Sequence, residues 1–285
     1  MPRGIYERMP RMQKNSSTTR TGPTLSLVSY ETDEEIDLRL KEVFDIVSCL
    51  TNAACNGQSR AMIVSGPAGL GKSFTVEKIV SEYDDTGKRA AICKGFIRPT
   101  GLYKSLYEYR HKGNVLVFDD CDSVFQDSDA LNLLKAACDT STKRRIMWGC
   151  ESRMTDSDGS PLPWSFEFEG SIIFITNYDF DQAIENNSKL SEHFKALISR
   201  SHYIDVGLKS VRDYLIRISQ VVESGMLKDR GLNDDQQKEV LTFMAENATK
   251  LRELTLRMVI KISELYMTQP NKWKTIAKLS LFKKD

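Results

Sequence analysis

Short apolar runs alternate with amphipathic segments along most of the chain, and this alternation indicates how the chain folds. The runs lie at 61–65, 89–94, 114–119, 171–176 and 202–206. Apolar residues at helical spacing mark most of the segments between them. Strands buried on both faces are continuously apolar, and parallel strands need helical crossovers. The pattern therefore predicts an α/β fold with a five-stranded parallel sheet sandwiched by helices.

The N-terminal region shows a different pattern. Residues 1–30 are rich in Ser, Thr, Arg and Pro and have no periodicity, which indicates a flexible basic arm. The segment Thr32-Asp33-Glu34-Glu35 then matches a capping box, the signature of a helix N-terminus. Apolar residues follow it at helical spacing, so we expect a first helix that ends near Asn56-Gly57.

The region from residue 207 onward is predicted to be wholly helical. Ser210, Asn233 and Thr249 are expected to cap three helices, because apolar residues follow each at helical spacing. Residues 207–268 therefore predict a C-terminal helical domain. The lysine-rich tail at 269–285 is interpreted as a loose basic helix.

An insertion separates the third and fourth apolar runs. Its two arms, 146–150 and 164–168, are apolar or alternating, and an Asp-Gly pair at 158–159 lies between them. An Asp-Gly pair between strand-like arms is typical of a β-hairpin turn. We therefore expect a hairpin over 146–168.

Composition and charge exclude several classes of protein. The 285 residues hold 40 basic and 39 acidic side chains, a formal charge of +1, so the chain as a whole is not a polyanion binder. Six cysteines are scattered singly among only three histidines, which excludes a disulfide framework and a zinc site. Because the sequence shows neither a secretion signal nor a segment of membrane-spanning length, we expect a cytoplasmic protein without a membrane partner.

A complete Walker A phosphate loop, Gly-Pro-Ala-Gly-Leu-Gly-Lys-Ser, follows the first apolar run at 66–73. Its glycines let backbone N–H groups wrap an anion, which a Cβ would obstruct. Lys72 is expected to reach the β- and γ-phosphates, and Ser73 to bind Mg²⁺ at the start of the next helix. The sequence therefore predicts binding of ATP with Mg²⁺. The residues predicted to contact the nucleotide are Gly66, Pro67, Ala68, Gly69, Leu70, Gly71, Lys72, Ser73 and Phe74.

Polar residues end two of the later apolar runs. Asp119 and Asp120 follow one run, and Asn177 follows another. A parallel sheet brings such residues to its carboxyl edge, beside the phosphate loop. We expect Asp119 to hold the Mg²⁺ shell, Asp120 to orient or deprotonate the attacking water, and Asn177 to hydrogen-bond that water or the γ-phosphate. The alternatives are an acidic turn after a buried strand and an Asn that merely starts a turn.

In this order the motifs resemble those of the AAA+ ATPases, and the resemblance covers about residues 31–268. It implies a nucleotide-binding core over 31–206, a helical lid over 207–268 and a sensor-1 role for Asn177. In that family the Arg of an Ala-Leu-x-x-Arg segment is the finger supplied to a neighbouring subunit's ATP. The resemblance assigns this role to Arg200, with an exposed surface arginine as the alternative.

The same resemblance implies further roles. The chain would self-associate into a ring or helical homo-oligomer with a hexamer-like number of subunits. Arg252, in Leu-Arg-Glu-Leu, matches the family's sensor-2 arginine, and Arg257 is a rival; we prefer Arg252. Asp120 stands where the family usually has Glu, and the hairpin resembles one that some AAA+ clades place before sensor 1.

The loop at 94–101 lies where AAA+ rings place the loop that lines the central pore. Phe96 and Ile97 would suit a polypeptide substrate, Lys94 and Arg98 would suit nucleic acid, and the apolar pair could instead continue into the core. Three functions remain open. They are an ATPase motor that remodels a protein or a protein–nucleic-acid assembly, which we favour, a nucleic-acid loader or initiator, and a nucleotide-switched scaffold with little turnover.

Overall fold

A computed structural model describes residues 31–149, 154–156, 158–186, 189–208 and 210–284. The predicted N-terminal arm and part of the first hairpin arm therefore lie outside the described residues.

A five-stranded sheet forms the centre of the fold, and all of its strand pairs are parallel, as predicted. The strand order is β2-β3-β6-β1-β7, so β6 lies between β3 and β1. The strands of the chain, including a separate hairpin formed by β4 and β5, are β1 (Ala61–Ser65), β2 (Ala90–Lys94), β3 (Val115–Asp119), β4 (Arg145–Met147), β5 (Ser165–Glu167), β6 (Ser171–Thr176) and β7 (His202–Asp205).

Helices flank this sheet and continue beyond it. The α-helices are α1 (Asp33–Cys55), α2 (Lys72–Tyr83), α3 (Pro99–Glu108), α4 (Ser128–Ala137), α5 (Phe180–Glu185), α6 (Ser191–Ile198), α7 (Val211–Val221), α8 (Asp234–Glu246), α9 (Leu256–Thr268) and α10 (Trp273–Leu281). The predicted capping box opens α1: the Thr32 hydroxyl accepts from the Glu35 N–H, and the Glu35 carboxylate accepts from the Thr32 N–H.

The two faces of the sheet each carry a hydrophobic core. Successive side chains of a strand point to opposite faces. Ala61 and Ile63 of β1 accordingly join one cluster, which contains the hairpin and α3, α4 and α6, while Met62 and Val64 join the other, which contains α1 and α2. The predicted sandwich is confirmed.

The strand order brings three strand ends together at one edge. β6 pairs with β1 on one side, where Thr176 lies opposite Ser65, and with β3 on the other, where Ile175 lies opposite Asp119. Parallel strands end on the same side of a sheet, so the residues that follow β1, β3 and β6 converge there.

The lid beyond β7 has its own hydrophobic core, built from α7, α8, α9 and α10. The prediction that its third helix begins at Thr249 is wrong. Thr255 is the N-cap, because its hydroxyl accepts from the Met258 N–H, and α9 begins at Leu256. The residues between α8 and α9 form turns and irregular backbone instead, and Leu251 forms an isolated antiparallel bridge to Phe282.

The tail from 269 also differs from the prediction of a loose basic helix. α10 packs into the lid: Trp273 is 3% exposed and Ala277 is fully buried. The Trp273 ring contacts those of Phe243 and Tyr266, with centroids 4.9 and 5.2 Å apart. Lys274 and Lys278 lie on the exposed side of α10, whose buried side completes the lid core.

The predicted hairpin is present at its base, where Ile146 lies opposite Phe166 in an antiparallel pair. At its tip, Asp156 accepts backbone hydrogen bonds from Asp158 and Ser160, in the turn predicted there. Among the described residues, no helix combines the length and apolar character that crossing a membrane requires.

Candidate functional site

The phosphate loop follows β1 and ends where α2 begins. Gly66, Gly69 and Gly71 have φ angles of 143°, 75° and 92°, which L side chains adopt only under strain. The loop therefore needs glycine at these three positions. Phe74, at the rim, is 55% exposed.

Lys72 lies at the centre of the site and is 5% exposed. Its Nζ donates to the carbonyls of Gly66 and Pro67 at 2.6 and 2.7 Å, and to Asn177 Oδ1 at 3.0 Å. Burial lowers the pKa of Lys72 to about 8, although Asp120 and Asp119 oppose that shift. The predicted phosphate-binding cation thus contacts the predicted sensor amide directly.

Ser73 and Asp119 are brought together as predicted. Ser73 Oγ donates to Asp119 Oδ1 at 2.8 Å, and the Asp119 residue is 4% exposed. A hydroxyl and a carboxylate in contact form a hard oxygen donor set, which suits Mg²⁺. These two residues therefore fit the metal that a phosphate loop uses.

The sequence analysis did not predict the contact between Lys94 and Asp119. Lys94 lies opposite Asp119 in the register of β2 and β3, and its Nζ is 3.2 Å from Asp119 Oδ2 and 2.5 Å from Glu77 Oε1. In the sequence analysis Lys94 lies at the end of the second apolar run and at the start of the predicted substrate loop. The signal that could have found this contact is the register, because both residues end their strands.

Asp120 and Asn177 form the outer part of the site, and both are exposed. Asp120 has a φ of 53°, which is uncommon for a residue with a side chain. Its N–H donates to the Ile175 carbonyl at 3.0 Å, and its Oδ1 accepts from Asn177 Nδ2 at 2.9 Å. The Asn177 side chain thus links Lys72, through Oδ1, to Asp120, through Nδ2.

A cavity of about 470 Å³ lies between this edge of the sheet and the lid. Its core side includes residues of the phosphate loop together with Asp120 and Asn177. Its lid side combines apolar and charged residues. Of these, the sequence analysis considered only Arg257, as the alternative to Arg252. The lid-side residues are Val221, Met226, Asp229, Arg230, Leu256, Arg257 and Ile260.

The preference for Arg252 over Arg257 needs correction. Arg252 precedes α9, and its Nε donates to the Phe282 carbonyl at 3.0 Å, away from the cavity wall. Arg257 is the second residue of α9 and lines the cavity together with Lys72. The start of α9 at Leu256 explains the error, because it leaves Arg252 in the irregular segment before the helix.

Arg200 lies just beyond α6 and does not line the cavity of its own chain. It donates to the Ala196 carbonyl at 2.8 Å, and its Nε is 3.4 Å from Asp139 Oδ1. A finger that serves a neighbouring subunit is expected to lie away from its own nucleotide, so its role stays a prediction.

Comparison with solved structures shows the same architecture elsewhere. Domain III of the replication initiation protein DnaA from Thermotoga maritima superposes with a TM-score of 0.52 at 13% identity, over 86% of this chain and 92% of that one. NtrX from Brucella abortus in complex with ADP gives 0.49 at 15% identity, over 81% of this chain. The match spans about half, 49%, of the NtrX chain. The fold is that of the AAA+ P-loop ATPases, and the resemblance based on the motifs is confirmed.

A protein of Enterobacteria phage T4 is similar in sequence. It is the 36.7 kDa protein of the nrdC–mobD intergenic region, and it is 36% identical over 249 residues, or 87% of this chain and 76% of its own length. The chain belongs to the same family as this phage protein. No protein-family model matches the sequence.

Proposed function

We propose that the chain is an oligomeric ATPase that couples ATP hydrolysis to the remodelling of a protein or a protein–nucleic-acid assembly. The convergence of the motif residues at one cavity supports this proposal most strongly. Ser73 and Asp119 are 46 residues apart in sequence, and Lys72 and Asn177 are 105 apart, yet both pairs are hydrogen-bonded. Phosphoryl transfer needs this kind of convergence, because catalysis there is mainly positioning and charge stabilisation.

The residues divide the chemistry between them. Lys72 Nζ donates to the carbonyls of Gly66 and Pro67 in this structure. When ATP binds, it would donate to the β- and γ-phosphates instead. Ser73 and Asp119 would hold Mg²⁺, which would supply positive charge to neutralise the transferred phosphoryl group. Asp120 accepts from Asn177 through Oδ1, and we assign its other oxygen to the attacking water. Asn177 keeps that carboxylate in place.

Two arginines complete the proposed mechanism. Arg257 approaches the phosphates from the lid, which links lid position to nucleotide occupancy. Arg200 reaches the nucleotide of a neighbouring subunit, so turnover requires self-association. Both guanidinium groups would stabilise the charge that develops on the phosphate oxygens.

A second candidate function is a loader or initiator that acts on nucleic acid. The fold similarity to a domain of a replication initiation protein favours it. The loop after β2 is compatible with either substrate class, because Phe96 is 74% exposed between two basic residues, Lys94 and Arg98. Addition of single-stranded DNA to an ATPase assay separates the two functions: stimulation supports the loader, and an unchanged rate supports the protein remodeller.

Two substitutions test the site itself. Lys72→Ala should abolish ATP binding measured by calorimetry, whereas Asp120→Asn should bind Mg-ATP and fail to hydrolyse it. Lys78→Ala is the matched control, since Lys78 is an exposed lysine on the same helix. Unchanged ATP affinity in a folded Lys72→Ala protein would contradict the proposal. Wild type that binds ATP without turnover would support the nucleotide-switched scaffold instead.

A further inference from the structure

Arg217 is a buried cation that the proposed chemistry does not use. It lies on α7, the first lid helix, and is 8% exposed. Its side chain contacts the core, where its Cζ lies 3.2 Å from the centroid of the Phe44 ring of α1. It does not line the nucleotide cavity. Burying a guanidinium is costly, so its contacts need an explanation.

The hydrogen-bond acceptors of Arg217 are neutral in the part of the chain that the structure describes. Its Nε donates to the Leu70 carbonyl at 3.2 Å, and its Nη1 donates to Gln220 Oε1 at 3.0 Å. Burial lowers the pKa of Arg217 to about 10, which leaves the group charged at neutral pH. A charged donor from the lid is therefore hydrogen-bonded to the phosphate loop.

The contacted carbonyl belongs to a particular peptide group. The C=O of Leu70 and the N–H of Gly71 form one planar trans peptide, so the two point in opposite directions. A donor that holds the carbonyl from outside the loop aims the N–H toward its inside, where phosphate binds. It also polarises the peptide and strengthens that N–H as a donor.

A second lid contact acts on the preceding peptide in the same way. The Leu256 N–H of α9 donates to the Gly69 carbonyl at 2.8 Å, and that carbonyl shares its peptide with the Leu70 N–H. Two successive phosphate-loop peptides are therefore fixed by donors from two lid helices. We propose that Arg217 is a positioning residue for polyphosphate binding, which aims the Gly71 N–H by holding the Leu70 carbonyl.

This inference rests on the proposed nucleotide function, and it makes phosphate affinity depend on a lid residue that does not touch the nucleotide. Inorganic pyrophosphate is the appropriate probe, because it occupies the phosphate loop without a base or ribose. Calorimetry should show that Arg217→Met weakens pyrophosphate binding about tenfold or more, the effect expected when a hydrogen bond from a charged group is lost. ATP affinity should fall by the same factor.

Arg212→Met is the matched control. Arg212 lies on the same helix and ties it to α1 through an exposed ion pair with Asp33, 2.5 Å from Nη2 to Oδ1. Its loss loosens the lid without touching the phosphate loop, so pyrophosphate affinity should stay within about twofold of wild type. An equal loss in both variants would overturn the proposal, since general loosening of the lid would then explain it.

Other outcomes are equally decisive. Arg217→Met that loses ATP affinity but keeps pyrophosphate affinity would place the effect at the base and overturn the proposal. Should Arg217→Met fail to fold, Arg217→Lys decides, because lysine keeps the charge but not the planar fork. A loss of threefold or more in that variant supports the assignment, and wild-type affinity refutes it. Wild type that binds neither ATP nor pyrophosphate would instead refute the proposed function.

Discussion

Replacing Gly69 with Ala should force the lid off the phosphate loop. A Cβ at this position would lie 2.6 Å from Thr255 Cβ and 2.8 Å from Thr255 Cγ2. Thr255 is β-branched and caps α9, so it cannot rotate away without losing its hydrogen bond to the Met258 N–H. The N-terminus of α9 must therefore move outward by roughly 1 Å to restore ordinary contact distances.

The size of the effect follows from two contributions. A shift of that size lengthens the Leu256–Gly69 hydrogen bond from 2.8 Å beyond the usual limit, which costs about 0.5–1.5 kcal/mol. Alanine at the φ of 75° found at Gly69 adds about 1–2 kcal/mol of backbone strain. The sum, about 1.5–3.5 kcal/mol, corresponds to a change of roughly 10- to 400-fold in an equilibrium constant.

Amide hydrogen exchange at Leu256 measures this effect, because its N–H becomes accessible when the lid opens locally. Exchange in Gly69→Ala should be roughly 10- to 400-fold faster than in wild type. Gly87→Ala is the control, since Gly87 has a similar φ of 69° and no neighbour within 4 Å of the added Cβ. If Leu256 exchanged at the wild-type rate in Gly69→Ala, or equally fast in both variants, the lid contact would not depend on this steric fit.

Three further predictions concern other parts of the molecule. Trp273→Ala should destabilise the lid by about 3–5 kcal/mol in urea unfolding, and an unchanged midpoint would mean that α10 does not stabilise the lid. Arg200→Ala should bind ATP yet hydrolyse it poorly, and mixing it with Lys72→Ala should partly restore activity; a fully active monomer in sedimentation would contradict this. Phe96→Ala should keep the wild-type melting temperature and basal ATPase rate, because Phe96 is exposed, and lose only stimulation by substrate. A marked drop in melting temperature would contradict the substrate-contacting role.

The sheet and the phosphate loop were predictable because their signals are local. Buried parallel strands must be continuously apolar, and the phosphate loop needs glycine wherever φ is positive. Both features can therefore be recognised from a few consecutive residues of the sequence. The convergence of Asp119 and Asn177 also followed from sequence, since parallel strands end at one edge. That inference required no knowledge of which strands are adjacent.

The lid was less predictable because its contacts are non-local. Thr249 and Thr255 are both suitable N-caps, and the choice between them depends on the pairing of Leu251 with Phe282 near the end of the chain. Arg217 follows a helical pattern that gives no sign of the Leu70 carbonyl, 147 residues away. Both the start of α9 and the hydrogen bond of Arg217 depend on contacts between distant parts of the chain. Local helix propensity does not predict such contacts.

The place of β6 in the sheet has a consequence for synthesis of the chain. β6 forms hydrogen bonds with β1 on one side and β3 on the other, yet it is made after both, and Ala61 and its partner Ile172 are far apart in sequence. Until β6 leaves the ribosome, β1 and β3 present apolar strand edges with no strand between them. The core therefore cannot close during most of translation, and the nascent chain is most prone to aggregate in the interval before residues 171–176 emerge.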